Sequence, residues 1–418
     1  MKTNNYKYIL IILFINLFTI YNLFGADIFD VNSIQYYITS NSAPYEVAVN
    51  DVYSPQGEII IPNSVTYNSI TYSVTSINQY VFWGKEAITS ISIPNSISKI
   101  DQGAFGNCIG LTSLVIPNSV IDIGNNAFSG CKNITSITLS NNLNTINQTL
   151  FASCSSLTTI EIPNSVTSIG EKAFYNCSNL NNLIISNSVT NIGEYAFYGC
   201  NSLSSVILPN SILTIGIGAF IECSGLTSII IPNSVTNIEN ELFKNCSNLS
   251  EIIIPNSVTS IGEYAFYECY SLSSVILPNS ILTIGIGAFS KCNSLSEIII
   301  PYLTKKIDFG AFSGCSNLET IYYNAINCDV ITEGDGISCI FSNSPIKTFI
   351  IEKDVVKIPN NLCYGLTTLN TITLLSNNIL TKGYNVFTNC PISTVNFGNN
   401  ITKIPDGFCS GLLELRNH

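Results

Sequence analysis

The chain repeats one pattern of apolar and polar positions every 23 residues. In the unit at residues 246–268, CSNLSEIIIPNSVTSIGEYAFYE, Ile252 and Ile254 alternate with outward positions as in a half-buried strand. Pro255 lacks an N–H and ends the strand, and the Asn-Ser pair after it favours a turn. The later apolar positions are three or four residues apart, which predicts a short helical turn. Each unit is therefore predicted to form one coil of strand, corner and helical return.

The units form a long array. Ten cysteines, from Cys108 to Cys315, each follow a phenylalanine by three residues, and residues 202–220 are identical to residues 271–289. One coil buries too few side chains to fold alone, so the coils must stack. A period of 23 lies within the range of leucine-rich repeats. The phenylalanines spaced 23 residues apart are Phe82, Phe105, Phe128, Phe151, Phe174, Phe197, Phe220, Phe243, Phe266, Phe289 and Phe312.

The regular array defines the predicted organisation of the chain. Residues 1–26 are predicted to be a signal peptide, residues 27–81 a β-rich cap with the first strand, and residues 82–315 the regular repeats. Residues 316–418 are predicted to hold divergent repeats, with the last one incomplete. The segment TYNSITYSV, inserted before the regular spacing begins, is predicted to form a hairpin.

The recurring motifs IPNSVTSIGEYAFYEC and LTSIIIPNSVTNI resemble the BspA-like leucine-rich repeat proteins of bacterial and protist surfaces, over about residues 34–412. This resemblance implies an α/β-type solenoid, mostly β with short helical returns. It also implies a right-handed curved coil with a parallel β-sheet on its concave face. Members of the family act in adhesion or recognition, and no catalytic residues or cofactors carry over from them.

Composition and the N-terminus narrow the class of function. Only 10% of the residues are charged, and the net charge of −11 with no basic cluster argues against nucleic acid as a partner. Residues 1–26 combine two early lysines, an apolar run and small residues, which is typical of a secretory signal peptide. An uncleaved membrane anchor is the alternative. We expect a secreted or cell-surface protein without further membrane insertion.

The cysteines are predicted to be a ladder of buried thiols. Neighbouring coils bring their Cα atoms about 4.8 Å apart, within the range for disulfides. However, parallel side chains fit a disulfide poorly, and each cysteine has two equivalent neighbours. Disulfides along the ladder are the alternative, and a separate bond between Cys328 and Cys339 could close the loop between them.

Candidate chemistry is sparse. The one histidine is His418, so no internal catalytic triad has a base. Glu251 and Glu297 share an outward column two coils apart, about 9.6 Å, which is near the limit for an inverting glycosidase. We interpret them as solubilising charges. The acidic loop that contains Asp329, Glu333 and Asp335 could hold calcium through its carboxylates. An ordinary surface loop is the simpler interpretation.

The outward positions of the predicted strands vary more than the buried ones. The column in phase with Ile253 is mostly small or polar before residue 184, and then holds seven large apolar residues in succession. Such a stripe, about 30 Å long, is typical of an interaction site. The alternative is that β-branched residues spread there by duplication because they favour strands. The candidate site on the concave face is Ile184, Ile207, Ile230, Ile253, Ile276, Ile299 and Tyr322.

These observations favour a non-catalytic protein that binds proteins or glycans, on a host matrix or a cell surface, through the concave sheet. The alternative is a structural protein that associates with itself. The sequence ends in mid-repeat without a polar cap, which would leave its last strand edge open for pairing. An enzyme acting on carbohydrates through Glu251 and Glu297 is a third hypothesis. Neither a cofactor nor a metal is expected.

Overall fold

The computed structural model describes residues 27–330, 340–377, 379, 381–383 and 386–402. Over these residues the chain is a solenoid of about 15 turns, built from short parallel strands and turns. The predicted signal peptide at residues 1–26 and the chain end at residues 403–418, with its predicted open edge, lie outside the described residues.

A small β-structure precedes the regular coils. Strand β3 pairs in parallel with β6, while β1, β2 and β5 join by antiparallel pairing. The predicted hairpin is confirmed, because β5 and β6 pair through a two-residue turn at Asn68 and Ser69, which both have positive φ. The strands are β1 (Ile28–Val31), β2 (Ile34–Ser40), β3 (Glu46–Val52), β4 (Gly57–Ile60), β5 (Ser64–Tyr67) and β6 (Ile70–Ile77).

Most coils contribute their first strand to one side of the solenoid, which we call the first ladder. Within the regular array, partners in neighbouring coils are 23 residues apart, as in Ile229 opposite Ile252. At the N-terminal end β4 pairs with β7 at a wider spacing. The strands after β4 are β7 (Ile88–Ser92), β9 (Ser113–Val115), β11 (Ser136–Thr138), β13 (Thr159–Glu161), β15 (Asn182–Ile184), β18 (Ser228–Ile230), β20 (Glu251–Ile253), β23 (Glu297–Ile300), β25 (Thr320–Tyr323), β27 (Thr348–Ile351), β29 (Thr371–Leu374) and β31 (Thr394–Phe397).

A second ladder, of two-residue strands, follows the corner of each coil, which is Pro-Asn-Ser in most of them. At this corner the hydroxyl of Ser257 donates a 2.7 Å hydrogen bond to the carbonyl of Val235 in the preceding coil. The strands after β6 are β8 (Lys99–Ile100), β10 (Asp122–Ile123), β12 (Thr145–Ile146), β14 (Ser168–Ile169), β16 (Asn191–Ile192), β17 (Thr214–Ile215), β19 (Asn237–Ile238), β21 (Ser260–Ile261), β22 (Thr283–Ile284), β24 (Lys306–Ile307), β26 (Asp329–Val330), β28 (Lys357–Ile358) and β30 (Thr381–Lys382).

The predicted helical return is wrong: the third side of each coil, which we call the turn side, has no helix among the described residues. In one coil Tyr264 and Glu268 both have positive φ, which a right-handed helix excludes. The N–H of Phe266 donates a 2.7 Å hydrogen bond to the carbonyl of Ala288 in the next coil. Bonds between coils therefore combine with turn bonds within a coil, such as that from the N–H of Tyr267 to the carbonyl of Tyr264 at 3.1 Å. The spacing of three to four residues reflects turns instead of a helix.

The core is a set of columns running along the solenoid. Phe266 stacks between Phe243 and Phe289, with ring centroids 5.6 and 4.9 Å apart. All eleven phenylalanines of the regular array are fully buried, as are the cysteines that follow them. Stacking thus buries in each coil the side chains that a single coil would leave exposed.

Candidate functional site

The predicted stripe lies on the outer face of the first ladder. Ile253 is 51% exposed, while its strand neighbour Ile252 and the following Ile254 are buried, so the predicted alternation is confirmed. All six isoleucines of the set are exposed, and Tyr322 is half-buried. We call this set the isoleucine stripe: Ile184, Ile207, Ile230, Ile253, Ile276, Ile299 and Tyr322. Its role in binding stays a prediction.

Strand pairing keeps the stripe in register. Ile230 lies opposite Ile253, and Ile299 lies opposite Tyr322. Tyr322 in turn lies opposite Ile350, which is half-buried and extends the column by one coil. The sequence pattern missed Ile350 because the spacing changes at this point, after the phenylalanine column loses its regular period.

The two duplicated segments form the most exposed points of the stripe. Ile207 and Ile276 are 86% and 83% exposed, and no first-ladder strand forms in either coil. Among the described residues of these two coils, first-ladder pairing is reduced to a single bridge between Ser205 and Ser228. Because neither copy forms a first-ladder strand, the interruption belongs to the duplicated sequence. The stripe therefore has two prominent side chains three coils apart.

The surface around the stripe is polar and acidic. The neighbouring outward column is exposed apart from Thr320, which is half-buried, and it includes Glu251 and Glu297. Among the described residues, neither of these carboxylates has a salt bridge. Beyond Ile184, the face opens into a shallow depression lined by Thr138, Glu161 and several asparagine and serine side chains. The polar column is Asn182, Ser205, Ser228, Glu251, Ser274, Glu297 and Thr320.

The predicted thiol ladder is confirmed for the ten cysteines of the regular array, which are buried and form no disulfide. Each of the ten in the regular array donates from its Sγ to the carbonyl oxygen of a phenylalanine 26 residues earlier, as Cys246 does to Phe220 at 3.1 Å. Burial raises the pKa of Cys177 and of Cys223 to about 12. These thiols are therefore core groups that stay protonated at neutral pH.

The loop predicted as a calcium or disulfide site is only partly described. Cys328 is a free, buried thiol, and Asp329 forms an ion pair with Lys357 in the next coil. Three residues of this loop lie outside the described part of the chain: Glu333, Asp335 and Cys339. The predicted calcium site and the predicted disulfide between Cys328 and Cys339 therefore also fall outside it.

The described residues hold neither a cluster of metal ligands nor a membrane-spanning helix. Within them, no group of three or more His, Cys, Asp or Glu side chains is arranged to hold a metal ion. The same residues contain no helix with the length and apolar character needed to cross a membrane.

Comparisons with known proteins agree with this architecture. A leucine-rich repeat protein from Bacteroides ovatus ATCC 8483 is 26% identical, with a TM-score of 0.55 over 83% of this chain and 94% of that protein. A leucine rich cell surface protein from Faecalibacterium prausnitzii A2-165 is 24% identical, with a TM-score of 0.54 over 92% of this chain and 97% of that protein. None of the curated proteins matches.

The family comparison covers most of the array. The BspA type leucine rich repeat region matches residues 61–179, 145–272, 214–334 and 336–415. The first three segments overlap in succession, and together the four hold the phenylalanine, cysteine and proline positions on which the solenoid depends. The chain therefore belongs to the BspA type leucine rich repeat family.

Proposed function

We propose that the protein is a non-catalytic, surface-displayed binding protein whose protein or glycan partner contacts the isoleucine stripe. One observation carries the proposal: six isoleucines of successive coils, from Ile184 to Ile299, are exposed on the same face of the first ladder. Contiguous exposed apolar surface of this kind marks interaction sites in soluble proteins.

The fold itself does not require isoleucine in this column. Thr138 and Glu161 occupy the same outward position in earlier coils, and Glu161 lies opposite Ile184 in the strand register. A polar residue there is thus compatible with the solenoid. The exposed isoleucines do not pack into the core of the solenoid, so they do not stabilise the fold by burial. This favours a role in contact with another molecule.

The size of the stripe indicates that it acts as a unit. Full burial of one isoleucine contributes about 1.5–3 kcal/mol, while association costs about 4–15 kcal/mol. Several side chains must therefore be covered at once. The unpaired carboxylates of Glu251 and Glu297 beside the stripe favour a partner with basic groups next to its apolar surface.

The same proposal places the protein outside the cell. The similar Faecalibacterium prausnitzii protein is described as a cell surface protein, and residues 1–26 have the pattern of a secretory signal. Fractionation of the source cells tests this. Recovery in the medium or the surface fraction supports it, and recovery only in the cytosol contradicts it.

Replacement of Ile230, Ile253 and Ile276 by threonine tests the site. Threonine keeps the β-branch that suits a strand, so the thermal unfolding curve should stay unchanged. Attachment to purified matrix proteins and to cultured cells should fall at least tenfold. The matched control is Val115→Thr, an exposed position on the same ladder outside the stripe. Equal attachment of the triple variant and the control would contradict the site.

Self-association is the second candidate, because the stripe could be covered by the stripe of another copy. Analytical ultracentrifugation of the wild-type and triple-threonine proteins distinguishes self-association from binding of a foreign partner. A dimer that the three substitutions dissociate would assign the stripe to self-association. A monomer at all concentrations, with attachment lost in the variant, supports a foreign partner.

A further inference from the structure

The single tryptophan of the chain lies in an exposed aromatic pair near the N-terminal end of the solenoid. Trp83 and Tyr80 are 42% and 46% exposed, and their ring centroids are 5.6 Å apart with an interplanar angle of 77°. Both flank the buried Phe82 on the turn side of the coil. The pair is thus on a different side of the coil from the isoleucine stripe.

Glycines of the next coil form the floor under the two rings. A β-carbon on Gly103 would lie 2.5 Å from Cε1 of Tyr80, and one on Gly106 would overlap the Trp83 ring. Both glycines are buried although they carry no side chain. The rings therefore lie directly against the main chain on one side.

Main-chain hydrogen bonds hold this segment to the next coil. The N–H of Tyr80 donates to the carbonyl of Gln102 at 3.0 Å, and the N–H of Gly84 donates to the carbonyl of Gly106 at 2.8 Å. Lys85 anchors the segment on the other side through Asp51, with 2.7 Å between Nζ and Oδ1. The aromatic pair is therefore positioned before any ligand arrives, which reduces the entropic cost of binding.

An equivalent pair eight coils later shows what is unusual about this one. Tyr264 and Tyr267 are 5.7 Å apart at 85°, but lysines occupy their faces. Lys244 lies 5.9 Å from the Tyr264 ring centroid, and Lys291 lies 4.9 Å from that of Tyr267. Lys291 also donates to the Tyr267 hydroxyl at 2.7 Å. This second pair is satisfied within the chain.

The Tyr80–Trp83 pair has no such internal partner. Within the described part of the chain, no lysine lies over either ring. Over the same residues, neither the Tyr80 hydroxyl nor the Trp83 indole N–H makes a hydrogen bond to protein. The pair therefore offers unoccupied π surface together with two unused hydrogen-bond donors.

We propose that the Tyr80–Trp83 pair binds one pyranose ring of a neutral glycan. A pyranose presents C–H groups on its faces, which suit the negative face of an aromatic ring, and hydroxyls at its rim, which can accept from the two unused donors. Because the two rings are nearly perpendicular, at 77°, one ring can lie under a face of the sugar while the other contacts its edge. Lys85 is already paired with Asp51, and Glu86 is exposed beside it, so the surroundings favour a neutral ligand over an anionic one.

The single tryptophan makes this proposal directly measurable in the full-length protein. Cellohexaose, chitohexaose and mannohexaose are titrated while the Trp83 emission is recorded. We expect a saturable change with at least one of them at micromolar to millimolar concentration. Tyr80→Ala should weaken that binding about tenfold or more. Gly106→Ala should do the same, because its β-carbon displaces the Trp83 ring.

Two controls distinguish loss of binding at the Tyr80–Trp83 pair from an effect of the isoleucine stripe and from unfolding of the variant. Tyr264→Ala and Ile253→Thr should leave the titration unchanged, and circular dichroism reports whether each variant is folded. The absence of a saturable change with all three sugars, or an unchanged affinity in folded Tyr80→Ala, would overturn the proposal. An emission change with an aliphatic peptide but with none of the sugars would also overturn it.

Discussion

The Sγ of Cys246 donates a hydrogen bond of 3.1 Å to the main-chain carbonyl of Phe220 in the preceding coil. The same carbonyl also accepts from the N–H of Cys223 at 3.2 Å within its own coil, while the N–H of Phe220 donates to the carbonyl of Leu242 in the next coil. The same link recurs from Cys108 to Cys315, each time between buried groups. The cysteine column thus adds bonds between coils to carbonyls that already accept a turn bond, and each buried thiol gains an acceptor.

This role predicts that the described thiols of the regular array resist alkylation in the folded protein. They are buried and protonated, whereas the thiolate is the reactive form. Iodoacetamide at pH 8, followed by mass spectrometry, should leave these ten cysteines unmodified until denaturant is added. Rapid modification of Cys177 or Cys246 in the folded protein would contradict the assignment.

Stability should fall in alkaline solution for the same reason. The pKa values of Cys177 and Cys223 are raised to about 12 by burial, while an unfolded cysteine has a pKa of about 8.5. The folded state therefore holds these protons at pH values where the unfolded state has lost them. The contribution is complete below pH 8.5 and is lost between about 8.5 and 12.

Urea unfolding at several pH values checks this prediction. We expect the free energy of unfolding to decrease steadily above about pH 8.5. A variant with Cys177→Ala and Cys223→Ala should show a shallower decrease. An identical slope in the variant and the wild-type protein would show that other groups dominate.

The phenylalanine column predicts a sharp contrast between buried and exposed positions. Phe266→Ala removes a fully buried ring from the stack and should lower the free energy of unfolding by about 3–5 kcal/mol. Ile276→Ala, at a side chain that is 83% exposed, should change it by less than about 0.5 kcal/mol. Thermal or urea unfolding measures both. Comparable losses would contradict the assignment of inner and outer faces.

Much of this architecture could be predicted from the 23-residue period. The period identified the core columns, and the alternation around Ile252 placed Ile253 outside, as found. The second ladder escaped prediction because two residues, such as Ser260 and Ile261, are too few to show alternation. The helical return was wrong because turns with positive φ at Tyr264 and Glu268 can give the same spacing as a helix.

The surface features could be predicted only in part, because the 23-residue period does not specify which side chains of neighbouring coils come into contact. The sequence indicated the isoleucine stripe but not the interruption of the ladder at Ile207 and Ile276. It also gave no sign that Tyr80 and Trp83 would rest on Gly103 and Gly106, since these residues meet only when consecutive coils stack. Such contacts depend on how each coil is aligned with the next one, and the 23-residue period alone does not determine that alignment.

Site-specific photo-crosslinking tests most directly the central claim that partners bind the isoleucine stripe. A benzophenone side chain placed at Ile253 is compared with one placed at Tyr264, an exposed position on the turn side. The protein is applied to the matrix proteins or cells to which it attaches. Crosslinks to a partner from position 253 and none from position 264 are the result we predict. Crosslinks from position 264 alone would contradict the account.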